Sequence, residues 1–201
     1  MTRNPFLKLL LAAYIFAAAP VFAAQYTVTD LGTIGDDTTS YGYGLNNLGQ
    51  AVGYSFGSVG GGVHGYMYDG AMHAVGSLGG NDTRLYSINN LGQFVGESIT
   101  ISGVKLGATG YVGSAVSALP TLIPGGTSVG MGISDSGQVV GYASVDGNLI
   151  HPFIIANGVL TDIAPIAPGQ TAPEAANGIA YGINNHSQVV GSWNSNAFVY
   201  N

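Results

Sequence analysis

One ten-residue phrase occurs four times in this chain of 201 residues. The copies read GLNNLGQAVG from Gly44, SINNLGQFVG from Ser87, GISDSGQVVG from Gly132 and GINNHSQVVG from Gly182. Each copy has an apolar residue, a polar pair, a Gly (Ser187 in the fourth copy) and then Gln-x-Val-Gly. Asn and Asp tolerate left-handed backbone and hydrogen-bond their own chain. The phrase therefore predicts a β-hairpin made of a strand, a turn and a second strand.

Further strands recur at a spacing of 44 residues. One set contains Val28, Met72, Val116 and Leu160, in the segments TVTDLGTI, AMHAVGSL, AVSALPTL and GVLTDIAPI. A third strand precedes three of these segments as HGYMY, TGYVG and HPFII, and its fourth copy is NAFVY. Each repeat thus holds four short strands in about 44 residues, which is typical of a propeller blade. The predicted fold class is all-β, a four-bladed β-propeller.

The phase of the repeat predicts how such a ring would close. A strand of the fourth type, residues 26–34, comes before the first phrase, and the last repeat lacks that strand. Pairing the two would complete the fourth blade and remove two open sheet edges. The alternatives are an open β-solenoid of stacked repeats and a larger ring formed by two chains.

The first 23 residues have the layout of a secretory signal peptide. Arg3 and Lys8 give a positive start, Leu9 to Phe22 is apolar, and Val21-Phe22-Ala23 offers a cleavage site. We expect residues 1–23 to be removed and residues 24–201 to form one extracellular or periplasmic domain without a membrane span. An uncleaved N-terminal anchor is the alternative.

Charge limits the partners of the secreted chain. Removal of residues 1–23 would leave Arg84 and Lys105 against ten acids, a net charge of −8. Two scattered cations cannot neutralise a row of phosphates, so nucleic acid and anionic membrane surfaces are disfavoured. The chain has no Cys, so its core or a bound metal must hold an exported fold together.

The recurring segments resemble the HAF family of bacterial extracellular repeats. That family's pattern is D-L-G-T-L-G-G, then G-I-N-N-x-G-Q-V-V-G, then H-A-F. Here the first element is DLGTIG at 30–35, the second is the recurring phrase, and the third is reduced to HGY, TGY, HPF and NAF. The resemblance covers essentially the whole chain after the signal. It implies export and a repeat architecture, and no catalytic residue.

Loop acids are the candidates for a ligand site. Equivalent loops between blades contain Asp36-Asp37 and Asn81-Asp82, and the longest such loop contains Glu174. In a ring these loops gather on one face, where oxygen ligands would suit Ca²⁺ and acids beside aromatic rings would suit a sugar. We expect no other cofactor. The predicted ligand-binding residues are Asp36, Asp37, Asn81, Asp82, Glu174, Tyr41 and Trp193.

Two motifs are better explained as structure than as chemistry. GYSFG at 53–57 matches the G-x-S-x-G of serine hydrolases, but it lies at the end of a strand with no helix after it. The histidines at 64, 73, 151 and 186 lack the spacing of zinc ligands, and His64 and His151 occupy the same repeat position. No catalytic or metal-ligating residue is therefore predicted.

These observations favour a secreted, non-enzymatic binding or surface-interaction protein, with a glycan or an extracellular protein at the loop-rich face. A carbohydrate-active enzyme using Asp37, Asp82 and Glu174 is a second class. A structural repeat of an extracellular matrix is a third. Only 7% of the residues are charged, which leaves self-association open and the oligomeric state undetermined.

Overall fold

Fifteen β-strands form the regular structure of the described residues in this computed structural model. The structure describes residues 26–111, 113–166, 173 and 175–201. The strands are β1 Thr39–Leu45, β2 Ala51–Phe56, β3 Val63–Tyr68, β4 Met72–Ala74, β5 Gly79–Ile88, β6 Gln93–Thr100, β7 Lys105–Tyr111, β8 Ser117–Ala118, β9 Ser128–Ile133, β10 Val139–Ser144, β11 Ile150–Ala156, β12 Val159–Asp162, β13 Gly178–Ile183, β14 Val189–Trp193 and β15 Asn196–Tyr200. The predicted all-β class is confirmed. Within this part of the chain no helix is long and apolar enough to cross a membrane.

The strands fall into four antiparallel sets in chain order, here named units 1 to 4. Unit 1 is β1–β4, unit 2 is β5–β8, unit 3 is β9–β12 and unit 4 is β13–β15. One parallel bridge between Val63 and Asp82 joins units 1 and 2 into an eight-stranded sheet. Units 3 and 4 are separate sheets of four and three strands. Strands that follow one another in a unit therefore pair side by side.

Each copy of the recurring phrase forms the predicted hairpin. The pairs are β1–β2, β5–β6, β9–β10 and β13–β14. In the first turn the Asn46 amide donates to the Gln50 carbonyl at 3.0 Å. The turn glycines Gly49, Gly92 and Gly137 have φ of 78°, 76° and 78°, and Ser187 has φ of 64° in the fourth copy. The left-handed turn position predicted from the sequence is thus confirmed even where Gly is missing.

The Gly that ends each phrase is required by a close approach between the two strands of the hairpin. The first strand carries a bulge near this position, between Leu85 and Ser87 in unit 2. A Cβ on Gly96 would collide with the carbonyl oxygen of Arg84, and the same kind of clash arises at Gly53, Gly141 and Gly191. Only a residue without a side chain allows this approach.

Apolar layers lie between consecutive units. The layer between units 1 and 2 contains Val52, Met67, Leu85, Ile88 and Phe94. The next layer contains Val95, Leu119, Ile133, Val139, Ala143, Phe153 and Ile155, and the third contains Val140, Ile154, Ile163, Ala180 and Val189. Neighbouring residues of a strand point to opposite faces, so Phe94 packs towards unit 1 and Val95 towards unit 3. Each Val, Leu, Ile, Met or Phe side chain of these layers contributes about 1.5–3 kcal/mol when buried.

A ladder of hydrogen bonds connects the turns of consecutive units. Asn46 Nδ2 donates to the Asn89 carbonyl at 2.9 Å, and Asn89 Nδ2 donates to the Ser134 carbonyl at 3.0 Å. One position later, backbone amides donate to the side chain of the next unit: Asn47 to Asn90 Oδ1 at 2.8 Å, Asn90 to Asp135 Oδ1 at 2.8 Å and Asp135 to Asn185 Oδ1 at 2.9 Å. The polar pair of the phrase therefore also positions the following unit.

The strand predicted over residues 26–34 is wrong. Residues 26–33 belong to no strand and Ile34 lies in a bend. Gly32 and Gly35 have φ of 81° and 52°, and such backbone interrupts an extended strand. The Ile34 amide donates to Ser55 Oγ at 3.2 Å instead of pairing in a sheet. Residues 26–30 have no regular structure.

Units 1 and 4 each leave one apolar face uncovered. Leu45 is 72% exposed, whereas its counterparts Ile88 and Ile133 are buried between units. Val190 and Val199 of unit 4 are 51% and 62% exposed. Among the described residues, no strand pairing and no apolar layer joins unit 4 to unit 1.

The close approach at the end of the phrase gives a first prediction. Gly96→Ala should lower the free energy of unfolding by at least about 2 kcal/mol, because the new methyl group has to displace the paired strand. Gly147→Ala is the matched control, since a Cβ there meets open space, and it should change stability by less than about 0.5 kcal/mol. Urea denaturation of both variants measures this, and equal losses would contradict the account.

Candidate functional site

Aromatic side chains of unit 1 line a cleft that borders unit 2. Strand pairing places Tyr41 opposite Tyr54, and the bulge between Gly42 and Gly44 falls at Tyr43. The cleft has a volume of about 540 Å³. Its lining residues, here named the tyrosine cleft, are Tyr41, Tyr43, Tyr54, Phe56, Val63 and Arg84.

The rings of the tyrosine cleft hold one another in place. Tyr43 stacks on Tyr54 with centroids 5.4 Å apart, and Tyr41 stacks on Phe56 at 6.0 Å. Tyr43 also meets the ring of Tyr86 edge-on at 5.5 Å. Such pairs contribute about 0.5–1.5 kcal/mol each beyond their area burial. Tyr41 and Tyr43 nevertheless remain half exposed, so the cleft offers pre-positioned rings to a ligand.

The two central tyrosines also share a polar contact. The hydroxyl groups of Tyr43 and Tyr54 are 3.2 Å apart. This hydrogen bond, together with burial, raises the pKa of Tyr54 to about 12. Tyr54 is therefore a neutral hydroxyl at physiological pH, able to donate or to accept a hydrogen bond.

Arg84 lies over this cluster and is fixed by acids on its other side. Its guanidinium carbon is 5.5 Å from the Tyr54 ring centroid, a cation–π arrangement. Arg84 Nη2 lies 2.8 Å from Asp82 Oδ2, and Nη1 lies 3.0 Å from Glu97 Oε1. Lys105 Nζ contacts the second oxygen of Glu97 at 3.3 Å. Both cations of the described residues thus converge on Glu97, whose side chain is only 5% exposed.

Burial and charge act together on the ionisable groups of this network. Burial disfavours the charged form of Arg84, but the hydrogen bond to Glu97 and the charge of Asp82 outweigh it and raise the Arg84 pKa. Burial raises the pKa of Asp82, and the charge of Arg84 offsets this only in part. Burial and then the charge of Glu97 raise the pKa of Tyr86. The cleft is therefore bordered by a permanent cation and neutral phenols.

A second polar cluster forms around Asp37, which is buried. Ser55 Oγ donates to Asp37 Oδ2 at 2.5 Å, and His64 Nδ1 lies 2.8 Å from the same oxygen. The Ser58 amide donates to the other oxygen at 3.2 Å. Burial alone would raise the pKa of Asp37, but the hydrogen bonds from Ser55, His64 and Ser58 outweigh it and lower the pKa.

The Asp37 cluster does not have the geometry of a Ser-His-Asp triad. In a triad the imidazole lies between the hydroxyl and the carboxylate, and it accepts the hydroxyl proton. Here the carboxylate lies between Ser55 and His64, and the hydroxyl donates to the carboxylate. Ser55 is also fully buried, so a substrate cannot reach it. The first four residues of GYSFG lie in β2 and no helix follows, which agrees with its structural interpretation.

The predicted ligand-binding acids are not gathered on one solvated face. Asp37 is buried in its own cluster, and Asp82 lies in β5 rather than in a loop and pairs with Arg84. Asp36 and Asn81 are exposed. A smaller cleft of about 270 Å³ brings Asn81 together with His64. Because His64 also contacts Asp37, it connects two of the predicted positions.

The remaining predicted residues lie in different places. Tyr41 is in the tyrosine cleft. Trp193 ends β14, is buried and meets the ring of His151 edge-on at 5.0 Å. It borders a separate cleft of about 370 Å³ with Pro165 and Phe198. Glu174 lies outside the described residues. Of the predicted residues, the structure therefore brings only Tyr41 to the tyrosine cleft.

Metal binding has no preformed centre in the described part of the chain. No group of three or more His, Asp or Glu side chains there is arranged to hold a metal ion. His73 pairs with Asp69 at 2.8 Å, and His151 pairs with Asp162 at 2.7 Å. Binding of Ca²⁺ stays a prediction.

The sequence prediction missed five residues of the tyrosine cleft: Tyr43, Tyr54, Phe56, Val63 and Arg84. A signal for the aromatic residues was present, because Tyr41 and Tyr43, like Tyr54 and Phe56, are two residues apart on strands that flank one turn. Residues two apart on a strand share a face, so the predicted hairpin brings all four rings to one side. Arg84 gave no comparable signal, since its position depends on pairing opposite Glu97.

Comparison of the chain with protein-family models, with curated proteins and with solved structures finds no match. The resemblance to HAF repeats therefore stays a prediction.

The charge network gives a second prediction. Arg84→Met should lower the free energy of unfolding by about 3 kcal/mol, because it leaves the buried Glu97 with only one cation. Lys105→Met is the control, since Lys105 contacts the same acid from a half-exposed position, and it should cost less than about 1 kcal/mol. Urea denaturation of both variants measures the difference. A larger loss for Lys105→Met would show that Arg84 does not hold the network.

The Asp37 cluster gives a third prediction, for acid stability. Because its folded pKa is below the ordinary value of 3.8, the stability from the charged carboxylate is complete above that value. It is lost as the pH falls through the folded pKa. Asp37→Asn should therefore cost about 1.5–3 kcal/mol at pH 7, and the gap to the parent should shrink below about pH 4.

Chemical denaturation between about pH 2 and pH 7 follows this gap. Asp69→Asn serves as the control, because Asp69 pairs with His73 at the surface and should contribute less than about 1 kcal/mol. A gap for Asp37→Asn that stays constant down to about pH 2 would contradict a lowered pKa.

Proposed function

We propose that this protein is a secreted, non-enzymatic binding module that holds a glycan in the tyrosine cleft. The observation that carries the proposal is the pair of half-exposed rings, Tyr41 and Tyr43, each stacked on a second ring. Aromatic faces pack against the apolar faces of sugar rings, and hydroxyl and guanidinium groups beside them bond sugar hydroxyls. Arg84 and Tyr54 supply these polar groups in the same cleft.

The rigidity of the cleft supports this proposal. Arg84 is held by two carboxylates, and Tyr43 is held by Tyr54 and Tyr86. Side chains that are already ordered lose less conformational entropy when a ligand binds. A weak-binding, hydroxyl-rich ligand benefits most from such preorganisation.

A blade-like succession of sheets is part of the same proposal. Units 1 to 3 each contain four antiparallel strands, and successive units stack through apolar layers. Both features support a propeller-type arrangement. Closure of a four-bladed ring by residues 26–34 is not proposed, because these residues form no strand.

A carbohydrate-active enzyme has less support. Glycoside hydrolysis needs two carboxyl groups that flank one bond. Asp37 is buried against Ser55 and His64, while Asp82 is paired with Arg84 in another cluster. Neither acid is presented to the tyrosine cleft as a free carboxylate.

Binding to the cleft gives a fourth prediction. An oligosaccharide array should identify a glycan that binds the chain, and titration calorimetry should then measure its affinity. Tyr43→Ala should weaken binding at least about tenfold, a loss of about 1.4 kcal/mol, because it removes a stacking surface. Tyr43→Phe should keep most of the affinity, since the ring remains.

Tyr111→Ala is the matched control, because Tyr111 is a similarly exposed tyrosine on β7 outside the cleft. It should leave the affinity unchanged. Equal losses for Tyr43→Ala and Tyr111→Ala, or an array without any binding glycan, would contradict glycan binding at this cleft.

A further inference from the structure

We propose that the uncovered faces of units 1 and 4 bind each other between copies of this chain, so that unit 4 of one copy stacks on unit 1 of a second copy. This association is separate from the tyrosine cleft, which lies between units 1 and 2. The contacts that already join the units inside one chain support this association.

The uncovered face of unit 4 has the residues that other units bury against a following unit. Val52, Val95 and Val140 hold the same place in the phrase, and all three are completely buried. Val190 is the fourth member of this series and is 51% exposed. Its cross-strand partner Val199 is 62% exposed. Unit 4 therefore presents an apolar face that the fold elsewhere covers with another unit.

The uncovered face of unit 1 is the complement. Ile88 and Ile133 pack towards the preceding unit and are buried. Leu45 holds the same place in unit 1 and is 72% exposed. Unit 1 therefore exposes the face that units 2 and 3 pack against the preceding unit. Unit 4 exposes the face that units 1 to 3 pack against the following unit. Leu45, Val190 and Val199 are uncharged, so their contact would bury no unpaired charge.

The hydrogen-bond ladder ends with a donor position in unit 4 and an acceptor position in unit 1. The amides of Asn47, Asn90 and Asp135 each donate to the side chain of the following unit. Asn185 is next in this series, and no further unit of the described chain lies beyond it. At the other end, Asn47 Oδ1 has the place of the acceptors Asn90 Oδ1 and Asp135 Oδ1. Stacking of unit 4 on unit 1 of a second copy would bond Asn185 to that acceptor.

The two faces differ, so the contact is heterologous. Each copy offers one face of each kind, and head-to-tail contacts of this type close into a ring or extend into a filament. Among the described units, only unit 1 has both the apolar and the polar complement of unit 4. Within one chain these two units share no strand pairing and no apolar layer, so the occupant is a second copy of this chain.

Two variants that each lose one face test the proposal. Val190→Asp places a charge on the apolar face of unit 4, and Leu45→Asp places a charge on the apolar face of unit 1. Both positions are exposed in a single copy, so both variants should fold. By light scattering after size-exclusion chromatography, the parent chain should have the mass of two or more copies. Each variant alone should be a single copy, and an equal mixture of the two should form a pair.

Val159→Asp is the control, since Val159 is similarly exposed on β12, away from both faces, and it should behave like the parent. A parent chain that remains a single copy at every concentration would overturn the proposal. A Leu45→Asp variant that still pairs with itself would also overturn it, because the contact would then join two identical faces.

A cysteine pair shows which copies are joined. The chain has no Cys, so oxidation of the double variant Asn47→Cys, Asn185→Cys can form disulfides only among these two positions. Either single variant can link copies only through identical positions, and it should remain unlinked. A ladder of linked chains on a non-reducing gel is expected. A disulfide within a single chain would mean that unit 4 closes on its own unit 1 and would overturn the proposal. Asn90→Cys with Asp135→Cys is the control, and it should link within one chain.

Discussion

The asparagine that opens each of the first two turns, Asn46 or Asn89, shapes its own turn and also bonds the next unit. Asn89 Oδ1 accepts from the amides of Leu91 and Gln93, which shapes its own hairpin. Asn89 Nδ2 donates to Gln93 Oε1 and to the Ser134 carbonyl of the next unit. A single buried side chain thus fixes the turn and the distance to the neighbouring sheet. Loss of that bond would leave a buried carbonyl without its partner, which costs about 1–3 kcal/mol. Asn at this place therefore couples unit 1 to unit 2 and unit 2 to unit 3.

The strands after the turn explain why a single unit cannot bury all of its apolar residues. Residues of Gln-x-Val-Gly alternate between faces, and the Gly permits the close approach of the paired strand. Each unit therefore has two apolar faces and relies on its neighbours to cover them, as in other repeat folds. Within this constant frame one cross-strand pair varies: Tyr41 with Tyr54 in unit 1, and Arg84 with Glu97 in unit 2. The tyrosine cleft arises because these two pairs lie side by side.

Much of the local structure could be predicted from the sequence. The hairpins followed from Asn, Gly and alternation, and Ser187 takes the left-handed conformation expected of its position. The strand predicted over 26–34 was wrong. The prediction relied on the recurring spacing of apolar residues, whereas the positive φ of Gly32 and Gly35 interrupts an extended strand. The burial of Asp37 could not be predicted, since it depends on Ser55 and His64 reaching it from other strands. The pairing of Arg84 with Glu97 could not be predicted either, because it depends on the register between two strands, which composition does not reveal.

The most direct test of the account is the hydrogen exchange of asparagine side-chain amides, measured by NMR on a dilute, single-copy chain. The account predicts slow exchange for the Nδ2 protons of Asn46 and Asn89, because both donate to buried carbonyls of the next unit. It predicts fast exchange for Asn184, which is exposed and bonds only within its own turn. Equally fast exchange at all three residues would contradict a ladder that couples consecutive units.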